Sequence, residues 1–367
     1  MNANVDLIGA GGQVIGDVAA MMMRNGRLDP GASRPFYDEK TDTSYVTVYK
    51  GGDRNAPTSY VTKAIQANAT LRRDEWKQLD DALLIASRYR LGGIDDLVSN
   101  GLTYNLGNAM GTTVLEWHDV SDGMEATVTM DGITRSKGDR PKFQHNYLPI
   151  PIIHVDFEIN ARVLAASRSL GNPLDTTSVE MAVRRVNEKL ETMLFTNTTY
   201  AFGETDSRNV NSIYSYVNHP DRNLVRLSIH WDHSAMTAAG ILQDVLEMKQ
   251  TSINDYHYGP WMLYIPTAYE TVLDDDYDTQ TPGTTIRERI LKIAGIKGVK
   301  VVDTLTADNV LLVQMTPDVV RLVEGLPIQT IEWETEGKFL SKFKTLRIAV
   351  PQVRSDQNKR SGIIHLA

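Results

Sequence analysis

A chain without cysteine must do its chemistry with carboxylates, imidazoles, hydroxyls and amines, and here their spacing is informative mainly for what it fails to assemble. Asp274, Asp275, Asp276 and Asp278 are the densest acidic cluster. Oxygen ligands this close could hold calcium at a junction between subunits, but the glycine and closing glutamate of an EF-hand loop are missing, which favours a solvated helix end. His230 and His233, in the stretch HWDH, would share a face if helical. They lack a third convincing ligand and sit among helix breakers, so a solvated or hydrogen-bonded pair is favoured over zinc. Gly9, Gly11 and Gly16 have the wrong spacing for a dinucleotide loop, and no strand leads into them. A Walker loop is absent, and no nucleophile elbow organises serine, histidine and aspartate into a triad. No catalytic residue, cofactor or metal is expected, so function must be sought in packing and contacts.

Composition bounds the class. The 367 residues, 41% of them hydrophobic, supply enough apolar surface for two or three packed units. Absent cysteine excludes disulfide staples and thiolate sites. A net charge of −8 argues against a chain whose main task is gripping phosphates, although a mildly repellent wall would let enclosed nucleic acid slide. No apolar run approaches a membrane span, so Ile8 to Met23 is not a transmembrane helix. Asp6 and Asp17 interrupt any secretory leader, which points to a cytoplasmic origin.

The first 57 residues are rich in glycine and read as an arm that must lie on something else to be ordered. From Leu71 a helix is expected, with Trp76, Leu79, Leu83 and Ala86 on one face. Thr112 to His118 and Met124 to Met130 read as two strands around the turn SDG, followed by the polar tract DGITRSKGDRPKFQHN. The run LPIPIIHVDFEI is extended, because Pro149 and Pro151 lack backbone donors. A long amphipathic helix follows. Thr177 and Glu180 have capping-box spacing, and Val179, Val183, Val186, Leu190, Met193 and Leu194 form one buried stripe. Arg184, Arg185, Glu188 and Glu191 are expected on the wet face. Gly203 to Met315 reads as an α/β unit: a helix over Ser234 to Ser252, the strands WMLYIP and VLLVQM, and a capping box at Thr285 and Glu288.

This order, a strand feeding a long spine helix, resembles the major capsid proteins of tailed bacteriophages and the related encapsulins. The likeness is strongest over residues 148–195. It returns in DVVRLVEGLPIQTIEWETEGKFLSKFKTLRIAVPQVRSDQNKRSGIIHL, similar to the closing strands of that family, and covers roughly residues 70 to 367. It implies an HK97-like α+β fold with an N-terminal arm (1–70), a peripheral domain (71–107 and 148–202, with the spine helix at 177–195), an extended loop (108–147), an axial domain (203–316) and closing peripheral strands (317–367). The implied function is a self-assembling icosahedral head shell around double-stranded DNA, held without sequence-specific binding. Many copies of the same chain are the main partners, with scaffold, portal and decoration proteins besides, in a virion assembled in the host cytoplasm with no membrane. In some relatives an extended-loop lysine forms an isopeptide bond to an asparagine of another subunit. Lys137 and Lys142 lie in that loop, but no motif identifies a partner, so ordinary ion pairs are expected there. Trp117, Lys137, Lys142, Arg184 and Glu188 are the expected inter-subunit contacts. An encapsulin-like nanocompartment and a soluble α/β enzyme are the alternatives.

Overall fold

A computed structural model describes residues 35–38, 40–41, 43–49, 59–65, 71–87, 92–107, 110–120, 128, 130, 143–163, 176–197, 200–202, 211–277, 283–336, 339–356 and 358–367. Most of the expected arm therefore lies outside the described residues, as do Lys137, Lys142 and Asp278. Within the arm's expected span, β1 (Phe36–Asp38), β2 (Thr43–Tyr49) and β3 (Tyr60–Ile65) form a three-stranded antiparallel sheet. Alternation in TSYVTVY lets Val46 be buried while its strand pairs on both sides.

Helix α1 (Arg73–Ser87) follows, and Glu75 reaches back to accept from the Arg72 N–H at 2.8 Å, which satisfies one amide otherwise orphaned at the helix start. Next come α2 (Gly92–Ser99), β4 (Thr103–Asn105), β5 (Val114–Val120), β6 (Phe143–Pro149) and β7 (Ile152–Asn160). β5 pairs with β6, and the expected strand Met124 to Met130 lies almost wholly outside the described residues. The run from Leu148 is extended, as expected, in two strands broken at Ile150 and Pro151, because a residue without an N–H ends the ladder, and β7 is a sheet edge.

The spine helix α3 spans Thr177–Phe195. Its N-cap is Thr176, one residue before the expected Thr177, and the Thr176 side chain makes no capping bond but hydrogen-bonds Glu180 at 3.0 Å. The buried stripe runs through two cores. Val179 and Val183 join Leu71, Trp76, Leu79 and Phe343, whereas Val186, Leu190, Met193, Leu194 and Phe195 enter the main core.

Two short strands, β8 (Tyr200–Phe202) and β9 (Asn211–Ile213), pair with each other and precede β10 (Asn223–Val225) and α4 (Ala238–Asn254). Strand β11 (Trp261–Pro266), the short helices α5 (Glu270–Leu273) and α6 (Ile286–Leu291), β12 (Ile296–Val302) and β13 (Val310–Gln314) complete the α/β unit. The Thr285 side chain accepts from the Glu288 N–H and starts α6. Last come two long strands, β14 (Val320–Glu336) and β15 (Leu340–Val353), and a terminal strand, β16 (Ile363–Leu366).

The sheets are ordered β4-β14-β15-β7 and β10-β16-β13-β11-β12. The terminal strand β16 does not stay with β14 and β15. It leaves its sequence neighbours and inserts between β10 and β13, parallel to one and antiparallel to the other. The physical reason is its composition: all four residues of IIHL are buried, and such a run suits the interior of a sheet covered on both faces. β11 shows the same logic, with Met262 and Tyr264 in the main core and Trp261, Leu263 and Ile265 in the core beneath α4 and α6.

Candidate assembly surface and the polar node behind it

The β5–β6 hairpin alternates faces. Leu115 and Trp117 pack on the main core, while Glu116, His118, His145 and Tyr147 face water. Trp117, expected to anchor a neighbouring subunit, is thus half-buried against its own chain. Its buried indole N–H finds no acceptor among the described residues. Alternation within one strand decides which side a residue takes, whatever the size of its side chain.

Arg184 and Glu188 lie on the exposed face of α3. Glu188 is already engaged, by Arg184 Nε at 2.7 Å and Arg185 Nη1 at 2.9 Å. Pairs this exposed are worth well under about 1 kcal/mol and are readily exchanged for partners outside the chain. Met181, 57% exposed, lies on the same helix. Three other large side chains left in water sit at sheet boundaries: Ile152 on edge strand β7, Leu224 on edge strand β10, and Phe339, 75% exposed, at the tip between β14 and β15. An edge strand offers unpaired backbone groups beside such side chains, which is the chemistry of a protein–protein contact.

Glu191 departs most from the sequence reading. Expected on the wet face of α3, it is buried and accepts hydrogen bonds from the Gly93 and Ile94 N–H groups at 2.8 and 3.2 Å. It caps α2 from 98 residues away. Gly93 permits this approach, because a Cβ there would fall 2.4 Å from the Phe195 ring. One turn on, Asp96 accepts from the Tyr264 hydroxyl at 2.9 Å and pairs with Lys300 of β12. The node joins α3, α2 and two strands of the second sheet. Burial is the main cause that pushes Glu191 up to about 7, against the two amide bonds that favour its anion. Tyr216 and Tyr264 are driven well above the ordinary phenol range, again first by burial. A helical-wheel reading could not find this cluster, since a wheel reports which way a residue points and not whether another helix ends there.

The remaining sequence candidates disperse. His230 pairs with Asp308 at 3.0 Å, and His233 is exposed. Asp274 pairs with Arg287 at 2.9 Å, and Asp275 accepts from the Asp276 N–H through its side chain, so these carboxylates serve the α5–α6 connection. Among the described residues no helix is long and apolar enough to cross a membrane.

A model of a family of unknown function, DUF6260, matches residues 65–366. None of the proteins with curated functions matches the chain. Solved structures do. The subunit of a virus-like particle from Pyrococcus furiosus is similar over 80% of this chain and 99% of its own, at 17% identity and a TM-score of 0.56. The capsid of Myoviridae phage XM1 is similar over 73% of this chain and 90% of its own, at 9% identity and 0.55. The capsid of an empty GTA particle is similar over 74% and 89%, at 11% identity and 0.51. At such identities the likeness shows the fold, which is the HK97-like capsid fold.

Proposed function

We propose that this chain, which belongs to the DUF6260 family and has the HK97-like fold, is the major capsid protein of a tailed bacteriophage and closes in many copies into an icosahedral shell around double-stranded DNA. The observation that carries the reading is the extent of the likeness: 99% of one particle-forming subunit and 90% of a phage capsid subunit find counterparts in this chain. Shell building also fits the surface. Ile152, Leu224 and Phe339 present apolar side chains at sheet edges and a hairpin tip, where a neighbouring copy would cover them. Copies related by a rotation that closes form rings, and the lattice multiplies each modest contact. The chain has no catalytic role in this reading, and the 203–316 and peripheral segments gather around local symmetry axes.

A second reading is kept by one observation, the likeness to the Pyrococcus furiosus particle at 17% identity. In that reading this chain would build a cellular compartment that encloses protein in place of a genome. Electron microscopy of the purified full chain tests the shared part: closed shells are expected, and a monodisperse monomer at every concentration and salt would reject both readings. Nuclease-protected double-stranded DNA in particles from the native source supports the phage reading, whereas a protein cargo inside supports the compartment.

A further inference from the structure

The outer face of the β5–β6 hairpin gathers three side chains that the shell reading does not use. His118 and His145 are directly opposite each other in the ladder, and Glu116 stands two residues before His118, on the same face. Their ligand atoms all lie within 4.8 Å of one another. His145 Nδ1 is 2.8 Å from Glu116 Oε1, and the two imidazoles meet edge to face with ring centres 4.3 Å apart.

We propose that Glu116, His118 and His145 bind a first-row divalent transition metal, with zinc as the fitting ion. Two imidazoles and a carboxylate are ligands that such ions prefer, whereas calcium and magnesium select oxygen throughout. Ligand bonds of about 2.0–2.1 Å bring tetrahedral donors to roughly 3.3 Å from one another, so side-chain rotation closes the remaining gap without moving the strands. The strands are held from behind, because Leu115 and Trp117 on the opposite face pack on the main core. Such backing fixes the separation of the two strand positions that carry the imidazoles before the ion arrives. Three protein ligands leave a fourth position for water or for a donor from outside the chain. A plain Glu116–His145 ion pair accounts for two of the groups but gives the opposed His118 no part. The site belongs to one chain's geometry and does not depend on the shell reading.

The test is a titration of the full chain with Co²⁺, followed by its visible absorption, and then displacement with Zn²⁺. One ion per chain with a tetrahedral spectrum is expected. His118→Ala and His145→Ala should each weaken binding by more than the roughly 10–100-fold that losing a ligand's supporting hydrogen bond costs. Glu116→Gln should weaken it too, and His233→Ala should leave it unchanged. All three ligand side chains are exposed, so the variants should keep the parent's circular-dichroism melt. In the unmodified chain, Zn²⁺ should slow acylation of His118 and His145 more than that of His233. No spectral change up to millimolar Co²⁺, or equal binding by the double variant His118→Ala/His145→Ala, overturns the proposal.

Discussion

At the scale of single residues, Glu191 joins a helix end to the spine. Its carboxylate meets the first amides of α2, where the helix dipole favours negative charge, yet burial opposes that charge and wins. The consequence for stability has a definite sign. An unfolded glutamate ionises near 4.5 and this one near 7, so between those values the folded chain holds a proton that the unfolded chain has released. Its contribution is greatest below pH 4.5 and declines as pH rises to about 7. His219 and His365 act in the other direction. Burial pushes both down to about 4, so their contribution is full above the ordinary 6.5 and is lost as pH falls toward 4. Two histidines against one glutamate should make the whole chain less stable on acidification. Glu191→Gln isolates the smaller term: the stability of the parent relative to the variant should fall by about 3 kcal/mol between pH 4.5 and 7.5. Denaturant midpoints at a series of pH values measure it, and parallel profiles for the two proteins would refute the assignment.

At the scale of elements, α3 divides its apolar stripe between two cores. Leu190 is fully buried among main-core side chains, so Leu190→Asp places a charge without a partner in a packed seam. Loss of cooperative folding is expected. Leu190→Met conserves volume and should cost less than about 1.5 kcal/mol. Urea unfolding followed by tryptophan fluorescence separates the outcomes, and a stable Leu190→Asp protein would mean that the helix is turned the other way. The phase of this helix was legible in the sequence because Val183, Val186 and Leu190 recur at the helical period, and the α4 and α6 regions were legible for the same reason together with the Thr285 cap. Three features were not. The pairing of β5 with β6 spans a polar stretch whose length carries no register information. The entry of β16 into the second sheet is a long-range choice that its four residues announce only as buried. Glu191 has the charge of a solvated residue and the position of a cap. At the site level, size alone singled out Trp117, while the opposed histidines became visible only once the ladder set His118 against His145.

At the scale of the whole molecule, the two large sheets meet through one core, and α3 carries the contact. Met262, Tyr264, Leu311 and Val313 of the second sheet share that core with Leu322, Val323 and Ile348 of the first, so on the proposed function the chain would enter a lattice as one block. Flexibility in assembly would then come from what projects beyond the block, and the glycine-rich amino terminus is the segment expected to serve neighbours. Deleting residues 2–34 tests this cleanly, because β1 begins at Phe36 and the three-stranded sheet keeps all its strands. The truncated subunit keeps every described strand and should unfold at the same denaturant midpoint as the parent, within a few tenths of a kcal/mol. Its yield of closed shells, measured by gradient sedimentation and electron microscopy at matched concentration, should fall sharply, and the shells that form should come apart at a lower temperature. The two readouts separate folding from assembly. Equal shell yield and heat resistance in the truncated chain would remove the amino terminus from the assembly mechanism and leave the sheet edges and the β5–β6 hairpin to supply the contacts.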